Sequence, residues 1–139
     1  MTPLYAQQHD YSMYSVLVVD DIPLNLLLVQ KMLARYNFKM RTAANGQQAL
    51  DAVSAEKPDL ILLDLMMPGI DGFEVIRRLK NDPATADIRI VILSALNSNE
   101  DVVKGFNLGA DDFIMKPIIM EKLLSCVVTQ LQVVASNRQ

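Results

Sequence analysis

The chain has 139 residues, 51% apolar and 21% charged, with a net charge of −3. This is the size of one domain with a self-sufficient core, and the apolar content excludes intrinsic disorder. The acidic balance argues against direct nucleic-acid binding, the lone Cys126 excludes an intramolecular disulfide, and the lone His9 excludes a histidine-based metal site or triad.

Residues 1–14 read as a flexible polar arm that lacks the apolar run of a signal peptide. Val16–Asp20 (VLVVD) is a continuous β-branched run and predicts a buried strand. Pro23 opens a helix to about Tyr36, proline being suited to the first helical turn. Lys39–Ala43 alternates and predicts an outer strand, followed by a short helix over Gly46–Ala55. Leu60–Leu63 (LILL) is a fully apolar strand that runs into Asp64. Pro68, Gly69 and Gly72 mark a loop, after which Phe73–Lys80 is helical and stops before Asp82-Pro83. Ile88–Leu93 is a third central strand, ending at Ser94. Ser98–Leu108 predicts a helix closed by Gly109 in the left-handed C-cap position. Phe113–Met115 is a short strand, Lys116-Pro117 follows it, and Ile118 to about Val134 forms the last helix. The domain spans 15–135, with a short tail at 136–139. No run reaches the roughly 18 apolar residues of a membrane span, so a cytoplasmic protein without membrane insertion is expected.

A strand followed by a helix, five times over, implies an α/β fold. Its sheet would be open, doubly wound and mostly parallel, with helices on both faces. In such folds ligands bind beyond the carboxyl ends of the strands. The first strand ends in Asp20-Asp21, the third in Asp64, the fourth in Ser94 and the fifth in Lys116-Pro117. Three carboxylates, a hydroxyl and an ammonium are thus directed to one edge. Carboxylates so gathered repel one another unless a cation joins them, and an all-oxygen, partly hydrated site suits Mg²⁺. With Mg²⁺ and Lys116 both present, the site has room for a phosphoryl group. Any one of these acids alone would read as a solvated loop residue; their coincidence at four strand ends carries the reading. Asp59, Asp111 and Asp112 precede strands, belong to the opposite edge and read as structural.

The segments VLVVDD, LILLDLMMPGIDGFE, VILSA and GADDFIMKP closely resemble the signatures of the receiver domain of two-component response regulators, over about residues 15–135. The resemblance implies a flavodoxin-like sheet of five parallel strands in the order 2-1-3-4-5. It implies that Asp64 is the phosphoacceptor. Asp21 would be a direct Mg²⁺ ligand, Asp20 one acting largely through water, and the Met66 carbonyl a further ligand. Ser94 would be the switch hydroxyl, Phe113 the aromatic switch residue, packed inward by default, and Lys116 the site lysine, with a cis bond to Pro117. Met66 and Leu96 occupy positions expected to lean over the site and set the lifetime of the phosphoryl group. Both are apolar and cannot orient a water, which predicts a long-lived phosphoaspartate.

The donor would be a phosphohistidine on a histidine kinase or histidine phosphotransfer protein, since His9 lies in a polar arm with no helical bundle around it. Output would pass to a downstream protein target, and a phosphorylation-dependent homodimer is allowed. The first helix is apolar on nearly every side (Leu24, Leu26, Leu27, Leu28, Val29, Met32 and Leu33), which predicts burial beyond its core face and resembles the docking surface for donor helices. The last helix carries one stripe, Met120, Leu123, Leu124, Val127, Val128, Leu131 and Val134, most of which packing on the sheet explains. DDIPLN resembles receivers of hybrid histidine kinases, so a stand-alone regulator and a hybrid-kinase receiver both stay open. A flavin binder of the same strand order would need a Ser-, Thr- or Gly-rich first loop, where Asp20-Asp21-Ile22-Pro23 would repel a phosphate. A phosphatase with a nucleophilic aspartate would need an acid where Met66 stands. The chain is therefore expected to act on no substrate beyond its own aspartyl phosphate. The alternative kept is a phosphorylation-independent receiver serving as a binding module.

Overall fold

A computed structural model describes residues 11–95 and 98–138. Five strands alternate with five helices: β1 Ser15–Val19, α1 Pro23–Leu33, β2 Lys39–Ala43, α2 Gly46–Ala55, β3 Leu60–Leu63, α3 Gly72–Lys80, β4 Arg89–Ser94, α4 Asn99–Leu108, β5 Asp112–Met115 and α5 Met120–Asn137. The strands form one sheet in the order β2-β1-β3-β4-β5. Every pairing is parallel, with Val19 level with both Ala43 and Leu63, Leu63 level with Ile92, and Ser94 level with Met115. The expected doubly wound α/β sheet is thus the one that forms.

Strand side chains alternate between faces, so each strand feeds two cores. Val16, Val18, Leu60, Leu62, Val91 and Leu93 pack with α1 and α5. Leu17, Val19, Ile61, Leu63, Ile90 and Ile92 pack with α2 and α3. Strands buried on both faces need continuous apolar runs, which is why VLVV, LILL and IVIL read so clearly.

Several bounds differ from expectation. α1 ends at Leu33, and Ala34–Tyr36 tightens into a 3-10 turn closed by Asn37 at φ 59°. α5 starts at Met120, because Ile119 is still extended, and runs on to Asn137. The 136–139 tail is therefore partly helix, held where the Arg138 guanidinium pairs with Asp59. Tyr11 and Tyr14, expected within the flexible arm, pack against the core instead. Residues 1–10, His9 among them, lie outside the described residues, but Tyr11 is buried and packs on Tyr14, Tyr36 and Phe38. Aromatic burial outweighs the polar neighbours that suggested fraying.

Candidate functional site

Each site residue sits where a strand gives way to a loop. Asp20 and Asp21 follow β1, Asp64 follows β3, Ser94 closes β4 and Lys116 follows β5. Parallel register brings these ends level. The Asp20 N–H donates to the Ala43 carbonyl (3.1 Å), the Asp64 N–H to the Val19 carbonyl (2.9 Å) and the Lys116 N–H to the Ser94 carbonyl (2.9 Å).

The side chains converge accordingly. One carboxylate oxygen each from Asp20, Asp21 and Asp64 lies within 4.8 Å of the others. Lys116 Nζ stands 2.9 Å from Asp20 Oδ2 and 3.7 Å from Asp64 Oδ2. Asp20 and Asp64 are buried, Asp21 is exposed and Ser94 is fully buried. Lys116 and Pro117 are joined by a cis peptide bond. Phe113 is half-buried on the face shared with α2 and α3. Met66 is exposed beside the site, and its N–H donates to Asp64 Oδ1 at 3.3 Å. Leu96 lies outside the described residues.

The electrostatics are unbalanced in one direction. Among the described residues a single ammonium faces three carboxylates, two of them buried. Burial raises the Asp64 pKa above its ordinary value; Lys116 and the Met66 N–H pull it down, and the charges of Asp20 and Asp21 push it up. A group of hard oxygen donors with surplus negative charge and one exposed member is the chemistry that a hydrated divalent cation fits. Asp20, Asp21 and Asp64 could hold such an ion.

One contributor was not legible in advance. Asn25, the third residue of α1, donates from Nδ2 to Asp20 Oδ2 at 3.1 Å. Its spacing from Asp20 across a proline-started helix was the available signal. Beside it a cavity of about 240 Å³ opens between α1 and the segment after β5, lined by Leu28, Val29, Met32, Leu93, Pro117 and Ile118. The acids at the other edge have different work. Asp59 accepts from the Ser15 N–H (2.8 Å), and Asp111 accepts from the Ile90 N–H (2.8 Å) and pairs with Lys80 and Arg89. Asp112 accepts from the Cys126 thiol (3.3 Å), whose pKa burial and that carboxylate push up to about 12.

Comparison with known proteins decides the family, for the model of the response regulator receiver domain matches residues 16–128. The chain belongs to the response regulator receiver family. It is 46% identical to response regulator PleD of Caulobacter vibrioides over 103 residues, 74% of this receiver and 23% of PleD. It is 34% identical to protein PilH of Pseudomonas aeruginosa over 115 residues, 83% of this receiver and 95% of PilH. Among solved structures, the signal receiver domain of a signal transduction histidine kinase from Syntrophus aciditrophicus superposes with a TM-score of 0.81 at 34% identity, covering 87% of this receiver and 92% of that chain. This receiver spans about a quarter of PleD's length, so the relatives' shared property is the receiver and its place in two-component signalling. No helix among the described residues is long and apolar enough to cross a membrane.

Proposed function

We propose that the chain is the phosphoacceptor of a two-component phosphorelay and takes a phosphoryl group from a partner's phosphohistidine onto Asp64. The observation that carries this reading is the convergence of Asp20, Asp21 and Asp64 around Lys116 at one sheet edge. In the transfer, an Asp64 carboxylate oxygen attacks phosphorus. A P–O bond forms, the P–N bond breaks, and the imidazole nitrogen keeps the electron pair. Charge spreads over three phosphoryl oxygens in the transition state, so positioned cations do most of the work. Lys116 supplies one of them from a distance at which it already touches both acids. Asp20, Asp21, Asp64 and the Met66 carbonyl would hold Mg²⁺, which supplies the remaining positive charge when bound. Ser94, fully buried at the end of β4, would offer its hydroxyl to the phosphoryl oxygens, and Phe113 on the next strand would follow its movement.

The donor must bring its imidazole to Asp64 and therefore cover the rim of the site. That rim is apolar: Ile22, Leu24, Leu27, Leu28 and Met66 are all exposed. Only Val29 and Leu33 of α1 are buried, so the cover predicted for this helix is not supplied by the described residues of the chain itself. A helical histidine kinase or phosphotransfer protein fits that face.

The test is incubation with Mg²⁺ and acetyl phosphate, followed by intact mass. One phosphoryl group should be gained, and lost with Asp64→Asn or with a chelator. No gain in the wild type would favour the phosphorylation-independent binding module instead. The exposed thioether of Met66 cannot orient water, so the phosphoaspartate is expected to persist for minutes or longer. Met66→Asn should shorten its lifetime several-fold, and a wild-type lifetime of seconds would refute this.

A further inference from the structure

We infer that Asn25 is a positioning residue of the acidic site: it holds the Asp20 carboxylate in place for a divalent cation and shares the load now carried by Lys116. The inference rests on the proposed metal-assisted site.

A carboxylate has about four lone-pair directions and can only accept. At Asp20, Oδ1 accepts from the Ile22 N–H at 2.9 Å. Oδ2 accepts from both Lys116 Nζ (2.9 Å) and Asn25 Nδ2 (3.1 Å). Among the described residues three donors occupy three directions and leave one, on Oδ1, for a cation or its water. The carboxylate is buried, so its orientation depends on these donors and not on bulk solvent. Two of them come from the start of α1, one backbone and one side chain, and fix both oxygens to the same helix end.

The third donor has a divided task. Lys116 is also 3.7 Å from Asp64 Oδ2, on the side where new anionic oxygens would arrive. When the ammonium turns toward them, Asp20 Oδ2 keeps Asn25. The amide is suited to this because it is neutral. An ammonium or guanidinium there would neutralise Asp20 and compete with the cation, whereas an amide orients the acid without cancelling its charge. Outer hydrogen-bond partners of this kind tune metal affinity by 10- to 100-fold when removed.

The test is a Mg²⁺ titration by isothermal calorimetry of the wild type, Asn25→Leu and Asn25→Gln, with Tm of each in metal-free buffer. Leucine keeps the branched shape and removes the donor; glutamine keeps the donor. Asn25→Leu should bind Mg²⁺ about 10-fold more weakly while still melting cooperatively in metal-free buffer, and Asn25→Gln should recover most of the affinity. Binding by Asn25→Leu within two-fold of wild type overturns the role of Asn25 alone. An equal loss in both variants assigns Asn25 to packing and also overturns it. A wild type that binds no Mg²⁺ overturns both this inference and the metal-assisted site beneath it.

Discussion

Asp64 is the residue at which burial of a charge works against folding. Its pKa lies above the ordinary carboxylate value of 3.8, chiefly through burial. A raised carboxyl pKa means that the folded state holds the proton more tightly than the unfolded state. Ionised Asp64 therefore lowers stability, and the loss develops as pH rises from the unfolded value through the folded one. Asp64→Asn should be more stable than wild type in metal-free buffer at pH 7. The gap should close as pH falls below the ordinary carboxylate range, and urea denaturation across that range measures it. A gap that is constant with pH would refute the electrostatic cause. The same residue shows what was legible in advance. Asp20, Asp21, Asp64 and Lys116 could be placed because each ends a run of unmistakable strand character, and parallel topology makes strand ends neighbours. Asn25 could not, because its contribution is one hydrogen bond reaching back across a helix start, invisible to hydropathy and to charge.

At the scale of elements, the bounds of β2, α2 and β3 agree with the reading of the chain, and Gly109 closes α4 at φ 114° with its N–H bonded to Phe106 and Gly105 carbonyls. These ends are set by local chemistry. The two ends of α5 and the end of α1 depart from the hydropathy pattern: Ile119 is still extended, Ala34–Tyr36 tightens into a 3-10 turn, and the Arg138–Asp59 pair lies just past the end of α5. Gly72 is the element-level device closest to the chemistry. It starts α3, and a Cβ there would fall 2.5 Å from the Asp64 carbonyl oxygen and 2.7 Å from Leu65 Cα. Backbone, not a yielding side-chain tip, blocks that space. Gly72→Ala should cost about 1–3 kcal/mol in urea denaturation and slow phosphorylation by displacing the Asp64 loop. A variant with unchanged stability and labelling would show that the helix can retreat freely.

For the whole molecule, two surfaces separate inward stability from outward function. The exposed α1 face predicts that Leu24→Glu with Leu27→Glu will leave labelling by acetyl phosphate within about two-fold of wild type while reducing transfer from a phosphorylated partner by 10-fold or more, on the scale of about 1.4 kcal/mol per factor of ten. Equal losses with both donors would place the damage in the site itself. At the other end, Tyr11 sits 5.6 Å from Tyr36 and 5.2 Å from Phe38, centroid to centroid. Tyr11→Ala should therefore cost about 3 kcal/mol, as for other buried aromatics, and leave the phosphoryl chemistry intact; a stability change under 1 kcal/mol in thermal or urea melts, roughly the scale of a surface substitution, would contradict the packing. Tyr11 enters just ahead of β1, and Arg138 leaves beside Asp59, just ahead of β3. Both therefore lie where strands begin, a full strand length from the carboxylates. A fluorophore joined at Asn137, exposed beside Arg138 and Asp59, therefore stands clear of Asp64 and leaves the reactive edge turned toward the solution.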